Sequence, residues 1–163
     1  MYRESFRPFA PSVLEERVGD FFEMEGPSPY MLLVAQVRKD RLKAPPANVE
    51  DLPMMERLHL LRSDVPAITH VDNSARVQSV TAETNPDYYA ILKEFESMTG
   101  YGIVINTSFN VRGEPIVCTP EDAYRCFMRT EMDALVLGGC ILLKENQPEW
   151  KETKEWKKDY VLD

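Results

Sequence analysis

Gly102-Ile103-Val104-Ile105-Asn106-Thr107-Ser108-Phe109-Asn110-Val111-Arg112-Gly113 is the stretch on which the fold turns. Its apolar opening has the composition of a buried strand. Amides, hydroxyls and a guanidinium follow where that strand would end. In an open α/β sheet ligands gather in the crevice beyond the strand ends, so the cluster fits an anion site. It fits equally a polar loop closed by a glycine turn.

On either side stand helix signals. Asn85 can cap and Pro86 can open a helix with an apolar stripe of Tyr88, Ile91, Leu92, Phe95 and Met98, ending at Thr99-Gly100. Thr119-Pro120-Glu121-Asp122 repeats the start, with Arg125 and Arg129 towards the end, as the helix dipole prefers. Helix, strand, polar turn, helix describes a βα unit. Further strands are expected over Pro29–Val37, over Ala67–Val71 and Ala75–Thr81 joined through Asp72-Asn73-Ser74, and over Ala134–Leu143, where Gly138-Gly139 suggests a bulge or close backbone approach. Lys43 to Pro66, punctuated by Pro45, Pro46 and Pro53, reads as an excursion over the site with a short helix across Met54–Arg62. Glu145 to Asp163 reads as a peripheral helix or tail laid on the core by Trp150, Trp156 and Tyr160, with partner binding as the alternative.

The 163 residues, 44% apolar and 28% charged, suffice for one sizeable core. A net charge of −8 argues against general nucleic-acid binding. No apolar run approaches the roughly 20 residues of a membrane span, and the opening Met1-Tyr2-Arg3-Glu4-Ser5 lacks a secretion signal's apolar core, so a cytoplasmic location is expected. Cys118, Cys126 and Cys140 have apolar neighbours and no C-x-x-C spacing, which predicts reduced core residues and no metal site. His70 beside Asp72 reads as a local contact, and no nucleophile elbow, Walker loop or dinucleotide fingerprint is present.

Four arginines stand apart from the surface lysines: Arg3, Arg7, Arg76 and Arg112. Guanidinium groups meet phosphate oxygens with paired donors in a fixed plane. Singly, each reads as readily as the partner of one of the 27 acids. Taken with the hydroxyl of Ser108 and the carboxamide of Asn110, they suggest a polyanion site.

Four motifs, Arg3 to Leu14 (RESFRPFAPSVL), Ser28-Pro29-Tyr30-Met31, His70 to Gln78 (HVDNSARVQ) and Asn106 to Val117 (NTSFNVRGEPIV), cover nearly the whole chain in order. Together they resemble the C-terminal region of the NodU/CmcH-type O-carbamoyltransferases, and Ser108-x-Asn110 is similar to the Ser-x-Asn signature of the related YrdC/Sua5 fold. The resemblance implies an α/β domain over residues 1–144, YrdC-like, with an open twisted mixed sheet and flanking helices. It also implies formation of carbamoyl-adenylate from carbamoyl phosphate and ATP with Mg²⁺, the carbamoyl group then passing to a hydroxyl acceptor on a metal-bearing, Kae1-like N-terminal domain. Carried over by position, Arg7, Arg76, Ser108 and Asn110 would hold the phosphates and the carbamoyl donor, supported by Arg3, Thr107 and Arg112.

The family pattern has a lysine where Met1 stands and an upstream Gly-Pro-Arg-Ala-Leu-Gly motif that is absent here. The chain is therefore expected to be a piece of a longer enzyme, lacking the first YrdC-like elements and inactive alone. Two alternatives stay open. One is a YrdC-type threonylcarbamoyl-AMP synthase. The other is a non-catalytic interaction or lid module, in which the C-terminal aromatics dock a partner and the arginines pair with acids.

Overall fold

A computed structural model describes residues 8–111 and 113–151. Arg3, Arg7, Arg112, Trp156 and Tyr160 lie outside the described residues. The chain divides into two compact units, of which the described parts are 8–107 and, for the second, 108–111 with 113–151.

The first unit is an open five-stranded mixed sheet. Its strands are β1 (Ala10–Leu14), β2 (Phe22–Glu23), β3 (Leu33–Val37), β4 (Ser74–Val80) and β5 (Ile103–Asn106), in the order β2-β3-β4-β1-β5. β1 runs parallel to β4 and antiparallel to β5, and the other pairs are antiparallel. Two short helices, α1 (Val18–Phe21) and α2 (Met54–Leu58), and the longer α3 (Pro86–Thr99) flank it. One sheet face carries Val13, Ala35, Val37, Ala75, Val77 and Ile103, which close with Phe21, Phe22 and Ile68 into a core.

Strand β1 is not among the strands expected from the sequence, and it holds Pro11 within it. Pro11 has no N–H to give a ladder. It is tolerated because the parallel register with β4 starts only at Ser12, leaving Pro11 opposite Ile105 alone. Residues 67–71 form no strand. Pro66–Ile68 make a 3-10 turn, and Asp72 Oδ1 accepts from the amide and hydroxyl of Ser74 at 3.1 and 2.7 Å, turning the chain with Asn73 at φ 64°. The strand expected from Pro29 begins only at Leu33.

α3 has its expected ends. Asn85 Oδ1 accepts from the Tyr88 amide at 3.3 Å, and Gly100 closes the helix at φ 79°. Its stripe is only partly covered: Leu92 is buried, whereas Ile91, Phe95 and Met98 are exposed.

The second unit packs α4 (Pro120–Met128) on a hairpin of β6 (Ala134–Leu137) and β7 (Cys140–Leu143), with Gly138 and Gly139 in the turn instead of a bulge. Thr119 and Asp122 form a reciprocal capping box. Ala123, Phe127 and Leu135 form the buried centre, with Phe109, Val117 and Leu142 against it. Lys144 lies 4.0 Å over the Phe127 ring and donates to the carbonyls of Phe127 and Thr130, closing the C-terminal end of α4. Desolvation holds its pKa below the ordinary lysine value. Trp150 meets Tyr124 edge-on, with ring centroids 6.2 Å apart. Of the cysteines only Cys126 is buried; Cys118 and Cys140 are exposed. No helix of the described residues is long and apolar enough to cross a membrane.

Candidate functional site

Strand order gathers motifs that are distant in sequence. The parallel pair and the antiparallel β5 set the start of β1, the first half of β4 and the end of β5 along one edge of the sheet. The start of the first motif's strand, the end of the third motif and Asn106, the first residue of the fourth, therefore lie on neighbouring strands. The second motif is fastened to β4 as well: Ser28 Oγ donates to Val77 O at 2.8 Å, and Ser28 N donates to Ser79 Oγ at 2.8 Å.

Along β4, Ala75 and Val77 point into the core, so Arg76 and Gln78 share the opposite face. Gln78 is the hub of that face. Its Oε1 accepts from Ser12 Oγ at 2.6 Å and from Asn106 Nδ2 at 2.5 Å, while its Nε2 donates to Pro29 O at 3.1 Å. This polar band joins β4, β1 and β5 and fixes the strand end from which Thr107 departs. Sequence reasoning missed Ser12, Gln78 and Asn106 as a set. The two-residue spacing of Arg76-x-Gln78 was the available signal, and their pairing needed the strand order. Arg76 itself is exposed, and among the described residues its guanidinium has no hydrogen bond or ion pair. A lone cation on a polar strand face can receive an anion without first breaking a salt bridge.

The crevice rule used for the sequence applies differently here. β5 is antiparallel to β1, so its polar exit stands at the edge opposite the carboxyl ends of the β1–β4 pair. At those carboxyl ends lies an open cavity of about 290 Å³ lined by Glu15, Glu16, Thr81, Ala82 and Tyr89. Tyr89 donates to Glu16 Oε1 at 2.7 Å there, and the two carboxylates would repel a phosphate.

Thr107 is exposed and closes the first unit. Ser108 and Asn110 belong to the second, where Ser108 Oγ, also exposed, donates to Asn110 Oδ1 at 2.6 Å. The Asn110 carboxamide donates to Val111 O at 3.2 Å and to Glu114 O at 2.8 Å, and so braces the loop from within. Behind it, Arg129 Nη1 meets Glu114 Oε1 at 2.8 Å with each side chain only 10% exposed. His70 and Asp72 are joined through Ser74, whose Oγ lies 2.9 Å from His70 Nδ1, which agrees with a local contact.

Residues 1–144 match the family described as carbamoyltransferase C-terminus. The whole chain is 61% identical over 163 residues to an uncharacterized protein of Synechocystis, covering 99% of this chain and 26% of that protein. It is 39% identical to nodulation protein NolO of Bradyrhizobium diazoefficiens over 87% of this chain and 23% of NolO. With 3'-hydroxymethylcephem-O-carbamoyltransferase of Streptomyces clavuligerus it shares 32% identity over 83% of this chain and 22% of that enzyme. The chain thus spans about a quarter of the length of these relatives. With its open α/β sheet and a family match over residues 1–144, the chain belongs to the carbamoyltransferase C-terminus family.

Proposed function

We propose that this domain, as part of an O-carbamoyltransferase, forms carbamoyl-adenylate from carbamoyl phosphate and ATP, for transfer to a hydroxyl acceptor. The observation that carries the reading is Arg76: an exposed guanidinium without a described partner, set on the polar face where three family motifs meet. Overall, carbamoyl phosphate, water and ATP give carbamoyl-adenylate, inorganic phosphate and pyrophosphate. Water first releases inorganic phosphate from carbamoyl phosphate and leaves carbamate; a carbamate oxygen then attacks the α-phosphorus of ATP, and pyrophosphate leaves with the electron pair of the cleaved P–O bond.

Such a step needs little from a side-chain nucleophile. It needs positioned charge on the phosphoryl oxygens. Arg76, Ser108 and Asn110, with Arg3, Arg7, Thr107 and Arg112, would hold the phosphates and the carbamoyl donor, and Mg²⁺ would arrive on ATP. A Kae1-like N-terminal domain is the proposed receiver of the adenylate.

The test is carbamoyl-phosphate-dependent pyrophosphate release by the intact carbamoyltransferase, with Arg76→Ala and Ser108→Ala beside it. Each variant loses one donor to a charged group, so kcat/KM for ATP should fall about 10–100-fold. Unchanged kinetics in both variants would refute the assignment. Release supported by bicarbonate with threonine, and not by carbamoyl phosphate, would favour the threonylcarbamoyl-AMP reaction instead.

A further inference from the structure

We infer that Glu114 and Arg129 are positioning residues that set the Ser108 hydroxyl through Asn110, an inference that rests on the reading of Ser108 as a phosphate ligand. The path is continuous. Arg129, at the C-cap of α4, holds the Glu114 carboxylate at 2.8 Å. The backbone of Glu114 donates to Val111 O at 3.0 Å and accepts from Asn110 Nδ2 at 2.8 Å. Asn110 Oδ1 then receives the Ser108 hydroxyl at 2.6 Å. Each link constrains the next, so the orientation of α4 reaches an exposed hydroxyl through three successive contacts.

Burial explains why this pair can act where others on the chain cannot. Arg38 with Asp40 and Arg125 with Asp122 are half exposed, and such pairs are loosened by water and salt. Glu114 and Arg129 are 10% exposed. An ion pair removed from water adds little net stability, because desolvation offsets most of the attraction, but its geometry is tightly fixed. The loop is anchored separately at its flanks: Val117 N donates to Phe109 O at 3.0 Å, and Phe109 packs on the buried cluster of α4 and β6. The ion pair is therefore placed to tune the segment between those anchors without being needed to attach it.

The experiment is a double-mutant cycle in the intact carbamoyltransferase, read as kcat/KM for ATP in carbamoyl-phosphate-dependent pyrophosphate release. Ser108→Ala is one arm. Glu114→Gln with Arg129→Met is the other, removing both members of the pair, and melting curves confirm that each variant is folded. Each arm should lower kcat/KM about tenfold, and the combination about tenfold as well, because a hydroxyl already released has nothing further to lose. Arg129→Lys, which keeps the charge, should retain part of the activity that the charge-free pair loses, and gives a milder second arm should the charge-free pair melt early. A combined loss of about 100-fold, the product of independent effects, would overturn the positioning role while leaving Ser108 as a ligand. So would a charge-free pair with unaltered kinetics. Should Ser108→Ala itself change nothing, the ligand reading fails first and the positioning role falls with it.

Discussion

Gly102→Ala is a demanding test of the packing that delivers β5 to the polar edge. A Cβ built on Gly102 would stand 2.9 Å from Leu14 Cδ1 and 3.1 Å from both Arg17 Cγ and Glu96 Oε1. The backbone is outside the left-handed region at this residue, so the need for glycine is one of space. Arg17 and Glu96 are partly exposed and can shift at the expense of their 2.5 Å ion pair. Leu14 cannot: it is wholly buried, and its own amide donates to Gly102 O at 3.0 Å. Crowding of this kind costs about 1–3 kcal/mol, or about 2–4 °C in Tm per kcal/mol for a chain of this length. Thermal unfolding by circular dichroism reads it directly. Leu14→Val removes the offending methyl, so the double variant Gly102→Ala/Leu14→Val should cost less than the sum of its parts. A Tm for Gly102→Ala within about 1 °C of the unaltered protein, a shift smaller than any overpacking cost would give, would refute the packing argument.

Other outcomes follow from the same structure. Phe127→Ala empties the centre of the second unit and removes the ring beneath Lys144, and should cost about 3–5 kcal/mol in denaturant unfolding. Asp72 is held below its ordinary value of 3.8, first by the hydroxyl and then by the amide of Ser74, and Asp122 below the same value by Thr119 first. A depressed carboxyl contributes stability in full above the unfolded pKa and loses it as pH falls through the lower folded value. Acid titrations of stability should therefore slope less steeply below pH 3.8 for Asp72→Asn and Asp122→Asn than for the unaltered protein.

Local signals read well wherever the chain decides for itself. Asn85-Pro86, Gly100 and Thr119-Pro120 act within one turn of their own position, and both helices begin and end accordingly. Local composition was silent or misleading where the outcome depended on partners. Ala10–Leu14 is a central strand because β4 leaves Pro11 unopposed, which no local pattern discloses. Ala67–Val71 has strand composition, yet Pro66 and the Asp72 side chain bend it into turns. The candidate site divides the same way. Residue types and spacing picked out Arg76, Ser108 and Asn110, but the brace that Asn110 forms, the Gln78 hub and the Glu114–Arg129 pair join residues up to 66 positions apart, and pairing at that range follows topology.

The place of β1 in the sheet has a consequence for biosynthesis. This strand is synthesised before its neighbours: its parallel partner follows 66 residues later, as the Ser12–Gln78 contact measures, and β5 later still. At about 5–20 residues per second the nascent strand waits about 3–13 s with both edges unfilled. Val13 and Leu14 are meanwhile bare to any passing segment, and slower translation lengthens the interval in which they can mispair.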